Sequence, residues 1–147
     1  MVRPSRAAVC ALAIVAVSCS GSPAAPTPPP QPAQLAGNWS GTVQYTIASS
    51  ANPQVQAVVL NLTQAGASVN GTYAAQNFDG TISGQTTPSN FSGTFTWNAR
   101  TTTGAACTGS YAVSGGAGTT TMTWTSPGVT ANCTNLPTSL TFAVQRR

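Results

Sequence analysis

From Leu35 onward apolar and polar residues alternate with a period of two, and that alternation restricts the chain to strands with one buried face. Trp39, Gly41, Val43, Tyr45 and Ile47 share one parity, while Ser40, Thr42, Gln44 and Thr46 take the other. The same reading fits Val58-Leu60-Leu62, Val69-Gly71-Tyr73, Phe78-Gly80-Ile82 and Phe91-Gly93-Phe95-Trp97. It continues in Cys107-Gly109-Tyr111-Val113, Thr120-Met122-Trp124 and Leu140-Phe142-Val144. These eight strand candidates are separated by turn signals such as Asn52-Pro53, Ala65-Gly66, Thr87-Pro88 and Gly115-Gly116. A weak repeat places a glycine between two larger inward residues at Gly41, Gly71, Gly80, Gly93 and Gly109. A missing side chain there lets a strand coil sharply and lets a neighbouring aromatic cover the gap. Short, coiled antiparallel strands joined by hairpins predict an all-β, eight-stranded up-and-down barrel, which leaves no sheet edge exposed. An open β-sandwich built from the same strands is the alternative.

Residues 1–34 read differently. Arg3 and Arg6 precede an apolar run from Ala7 to Val17, the length of a signal-peptide core and too short to span a bilayer. Ala16-Val17-Ser18 then forms a small-residue cleavage site directly before Cys19. This stretch resembles the lipobox of bacterial lipoproteins, which implies cleavage after residue 18 and acylation of Cys19; Ala16 stands where that motif usually has leucine. The alternative is ordinary secretion with a free Cys19. Cysteine arithmetic favours acylation, because Cys10 leaves with the leader and three cysteines remain in an oxidising compartment. Acylation of Cys19 leaves Cys107 and Cys133 to pair as a structural disulfide. Residues 19–34, with Pro23, Pro26, Pro28, Pro29, Pro30 and Pro32, make an extended tether ahead of a domain spanning 35–147. At about 3.1 Å per residue such a tether holds the domain roughly 45 Å from the membrane.

Gly37-Asn38-Trp39 at the head of the first strand resembles the Gly-x-Trp of lipocalins and related avidin-like barrels. In lipocalins an arginine near the end of the last strand covers that tryptophan. Arg146 shares the parity of Leu140, Phe142 and Val144, so the resemblance implies barrel closure by Arg146 over Trp39.

Charged residues make up only 4% of the chain, with no histidine, lysine or glutamate and Asp79 as the sole acid. Once the leader is removed, Arg100, Arg146 and Arg147 against Asp79 leave a side-chain charge of +2, too sparse a basic surface for nucleic-acid binding. A serine nucleophile lacks its usual base, a glycosidase would need a second carboxylate, and no metal-ligand set can be assembled. Asp79 has outward parity and reads as surface decoration, Arg100 reads as a loop residue, and Gly115-Gly116-Ala117-Gly118 reads as a hairpin rather than a phosphate cradle. The five Asn-x-Ser/Thr triplets carry no assigned role in a chain this rich in serine and threonine.

What remains is the interior. Trp39, Tyr45, Tyr73, Phe91, Phe95, Trp97, Tyr111, Trp124 and Phe142 all have inward parity. Either they fill the core, since an eight-stranded barrel is only just wide enough for its own side chains, or the inward glycines leave room for a ligand. The expectation is a non-enzymatic, cofactor-free lipoprotein of the bacterial cell envelope, anchored at its outer membrane. Its barrel is expected to bind a small hydrophobic or aromatic molecule among Tyr45, Tyr73, Phe95, Trp97, Tyr111 and Trp124. The alternative is a structural or protein-interaction module of the envelope with a filled core.

Overall fold

The computed structural model describes residues 25–50, 52–100, 106–131, 133–134 and 136–147. The leader, Cys19 and the start of the tether lie outside the described residues. The alternation folds as β1 (Gly37–Ile47), β2 (Gln54–Ala65), β3 (Ser68–Ala75), β4 (Phe78–Thr86), β5 (Asn90–Arg100), β6 (Ala106–Ala117), β7 (Thr121–Ser126), β8 (Thr130–Ala131) and β9 (Pro137–Arg146). Consecutive strands pair antiparallel from β1 to β7, β7 pairs with β9, and β9 returns to β1. Eight strands therefore close into an antiparallel barrel, and no open sandwich forms. β8 is an extra two-residue strand laid on β6 at Gly109↔Ala131 and Ser110↔Thr130.

Burial follows side-chain parity. Along β2, Gln56, Val58, Leu60 and Leu62 are buried while Ala57, Val59 and Asn61 are exposed. Each fully buried Val, Leu or Phe contributes about 1.5–3 kcal/mol relative to exposure, so a one-residue register slip would turn the whole set to solvent. The inward glycines are required by close approach. A Cβ on Gly41, Gly71, Gly80, Gly93 or Gly109 would come within 2.0–2.5 Å of a backbone oxygen on a neighbouring strand.

Two local readings are corrected. Gly115 and Gly116 lie inside β6, and the turn comes after Ala117, where the Gly118 N–H donates to the Thr121 carbonyl. A Cβ at Gly115 would sit 2.2 Å from the Thr123 carbonyl oxygen, so that glycine serves strand approach instead of a turn. Arg100 ends β5, its backbone registered with Ala106, instead of sitting in a loop.

The two ends of the barrel differ. At one end the β2–β3, β4–β5 and β6–β7 turns gather around the incoming chain. Leu35 is fully buried there, its N–H donates to Gln64 Oε1, and Gln64 Nε2 donates back to the Ala33 carbonyl. The Ala33 N–H reaches the Thr87 carbonyl, so the packed chain starts two residues before Leu35. At the opposite end, the mouth, the segment between β7 and β9 runs along β6 through β8. Val129, Ala131, Cys133 and Leu136 pack against the core, and a Cys107–Cys133 disulfide ties the segment to β6 with a Cα–Cα distance of 5.7 Å.

Candidate functional site: the aromatic interior

Every aromatic side chain of the protein belongs to the barrel core or packs against it. At the plugged end Trp39 is fully buried and registered directly opposite Arg146. The guanidinium carbon of Arg146 lies 4.7 Å from the Trp39 ring centroid. Arg146 also donates to the carbonyls of Thr119 (2.9 Å), Ala36 (2.8 Å) and Gln34. The Trp39 indole N–H donates to the Leu35 carbonyl at 2.8 Å. One arginine thus pins the entering chain, the β6–β7 turn and the first strand together.

Above this floor Phe91 stacks on Trp124 at 4.5 Å, and Phe95 forms the hub, touching Tyr73, Phe91, Tyr111, Trp124 and Phe142 at 5.3–6.4 Å. Nearer the mouth Phe78 stacks on Trp97 at 4.2 Å and meets Tyr45 edge-on at 5.7 Å. Trp97 in turn meets Tyr111 at 6.3 Å. Of the residues expected to line a ligand site, Tyr73, Phe95, Trp97, Tyr111 and Trp124 are buried in this one cluster, and Tyr45 is half-buried at the rim. Phe78 and Gln56 join them. Both share the inward parity of their strands, a signal that was available, but Gln56 is polar and reads naturally as a solvent-facing residue.

The polar groups of the cluster divide into two sets. Between Gly80 and Thr81 on β4 and Thr96 and Trp97 on β5 the ladder register is interrupted, with pairing at Asp79↔Asn98 and again at Ile82↔Phe95. In the gap the Thr81 N–H donates to Thr96 Oγ1 (2.7 Å), and the Thr96 carbonyl accepts the Tyr73 hydroxyl (2.7 Å). Gln56 Nε2 donates to the Tyr45 hydroxyl at 2.7 Å, and Gln56 Oε1 accepts the Asn77 N–H. The second set makes no hydrogen bond of good geometry: Trp97 Nε1, Tyr111 Oη and Trp124 Nε1 are buried, with the Tyr111 hydroxyl facing that of Tyr73, whose own proton goes to Thr96. Burial holds the Tyr73 and Tyr111 hydroxyls far above the ordinary phenol range, so both are neutral donors at any physiological pH.

At the β3–β4 turn a depression of about 310 Å³ is lined by Ala75, Gln76, Asn77, Phe78, Asp79 and Asn98. Phe78 links it to the interior through its stack on Trp97. Among the described residues no cluster of three or more His, Cys, Asp or Glu side chains could hold a metal ion.

Fold and site define a closed eight-stranded antiparallel barrel whose apolar core is rich in aromatic rings. Comparison with protein-family models, curated proteins and solved structures finds no match.

Proposed function

We propose that this chain is a non-enzymatic, lipid-anchored protein of a bacterial cell envelope whose barrel holds a small hydrophobic or aromatic molecule. The observation that carries the ligand reading is the set of three buried polar atoms, Trp97 Nε1, Tyr111 Oη and Trp124 Nε1, that no protein group satisfies. Native interiors leave few such atoms, because each costs about 1–3 kcal/mol of unrecovered desolvation. A ligand set among the rings supplies what the chain lacks, and the Phe78 side of the mouth offers a route inward. The anchor rests on the Ala16-Val17-Ser18-Cys19 sequence and on the proline-rich tether that follows it.

One observation favours the second reading, a structural or protein-interaction module with a filled core: the ring-to-ring distances of 4.2–6.4 Å are those of packed aromatics. Titration of the purified full-length protein with indane separates the two. Ligand binding predicts saturable quenching of tryptophan fluorescence and a rise in Tm, worth about 2.7 kcal/mol at 100 times the Kd. Unchanged fluorescence and Tm up to the solubility limit of indane overturn ligand binding in favour of the filled module.

A further inference from the structure

The buried polar groups of this barrel are unbalanced in a way that specifies ligand chemistry. Gln56, Thr86 and Ser126 are the buried polar residues among those described, and each is bonded within the protein: Gln56 to Tyr45 and Asn77, Thr86 to the Thr87 and Asn90 carbonyls, Ser126 to the Gly128 carbonyl. Tyr73 is spent on the Thr96 carbonyl and Trp39 on the Leu35 carbonyl. The atoms left over are two indole N–H groups, which can only donate, and one phenol O–H. Their residues are 5%, 0% and 3% exposed for Trp97, Trp124 and Tyr111, so bulk water does not serve them. Among the described residues no charged side chain is buried. Asp79 is exposed on β4, and Arg146 is exposed at the plugged end.

We infer that the interior selects a neutral, flat molecule that presents hydrogen-bond acceptors and no donors, of the class of aromatic ketones and esters, its carbonyl oxygen taken by Trp97 and Tyr111. This deepens the ligand-binding reading and rests on it. The Trp97 and Tyr111 rings are direct neighbours, edge-to-face at 6.3 Å, while Trp124 offers a third donor farther in, beside Phe91. A donor-bearing ligand would find few free acceptors there. An anion would enter a low-dielectric site with no countercharge and lose its hydration uncompensated. A pure hydrocarbon would gain the ring contacts and leave all three donors unmet. A site built to donate rejects the analogue that lacks the acceptor.

Three probes on one frame test this: 1-indanone, indane and indane-1-carboxylate, each titrated into 15N-labelled full-length protein. The protein has three tryptophans, so three indole N–H resonances report at once. Indanone is expected to bind roughly three- to tenfold more tightly than indane, as one hydrogen bond to a neutral donor predicts. It should move the Trp97 indole proton downfield while Trp39, already bonded to Leu35, stays in place. Tyr111→Phe should lower the affinity for indanone several-fold more than that for indane, a split that a merely structural role for Tyr111 does not produce. Equal binding of indane and indanone, or carboxylate binding as tight as the ketone's, overturns the acceptor rule and leaves the apolar-ligand reading standing. No response to any of the three overturns both.

Discussion

Arg146 offers the sharpest test of how the barrel is closed. Its guanidinium covers Trp39 at 4.7 Å and forks to the carbonyls of Thr119, Ala36 and Gln34, tying β9 to the entering chain and to the β6–β7 turn. A cation over an indole contributes about 0.5–2 kcal/mol depending on burial. Hydrogen bonds from a charged donor are normally worth about 1.5–3 kcal/mol each, but Arg146 is exposed and water replaces much of what is lost. Arg146→Ala should therefore destabilise the domain by about 2–3 kcal/mol, a fall of roughly 8–12 °C in Tm for a domain of this size. Arg146→Lys keeps the charge over the ring but cannot fork to three carbonyls, and should fall between wild type and alanine. Arg147 lies outside the barrel, and its hydrogen bond to the Asn38 carbonyl is made by its backbone N–H, so Arg147→Ala should change Tm little. Thermal denaturation followed by far-UV circular dichroism reads all three, and Trp39 emission should shift in the Arg146 variants alone. Equal losses from Arg146→Ala and Arg147→Ala, or no loss from either, would refute the claim that this side chain closes the end of the barrel.

In ligand-free protein, Tyr111→Phe removes a buried hydroxyl that makes no hydrogen bond of good geometry and should change stability by less than about 1 kcal/mol, whereas Tyr73→Phe orphans the Thr96 carbonyl and should lower it by about 1 kcal/mol in urea denaturation. Burial raises both phenols, so the folded chain keeps two protons that the unfolded chain loses above about pH 10. Stability is accordingly full below pH 10 and should fall above it by about 2.7 kcal/mol per pH unit, a slope that either phenylalanine variant halves. Reducing the Cys107–Cys133 bond should lower stability by about 3 kcal/mol and speed amide exchange at Val129 and Ala131, with unchanged exchange there arguing that the segment is held without the disulfide. Cys19→Ala should move the protein from the membrane to the soluble envelope fraction; a wild-type protein that is already soluble and carries no acyl mass would remove the anchor.

Much of this architecture is legible in the residues because strand parity is a local property. Trp39, Val43 and Tyr45, or Leu140, Phe142 and Val144, show which face is buried without reference to any partner strand. Closure by Arg146 over Trp39 was implied by the resemblance to lipocalins, with the parity of the last strand consistent with it, and the structure registers the two residues opposite each other. What escaped the sequence depended on pairing. Thr130 and Ala131 are too few to display a period, so β8 is recognisable only against Gly109 and Ser110. Gly115 and Gly116 read as a turn because a glycine pair is one of the dipeptides that mark turns, yet Gly115 answers to the approach of the Thr123 carbonyl. The plug at Ala33 and Leu35 sits at the end of a proline-rich run that masks its apolar character. The unmet donors at Trp97, Tyr111 and Trp124 were invisible for the deepest reason. Whether a buried N–H or O–H finds a partner depends on details such as the ladder gap at Gly80, which frees the Thr96 carbonyl for Tyr73 and for no other ring.

The central claim is that the barrel's interior is completed by a bound molecule, and native mass spectrometry of the protein isolated from the cells that make it tests that claim most directly. The account predicts a folded species heavier than the same chain measured unfolded by one small, neutral molecule per chain. That molecule should be lost on unfolding and prove, once released, to be apolar or aromatic with carbonyl or ether oxygens and no donor groups. A folded protein whose mass equals that of the unfolded chain would contradict it and leave Trp97, Tyr111 and Trp124 as parts of a closed structural core.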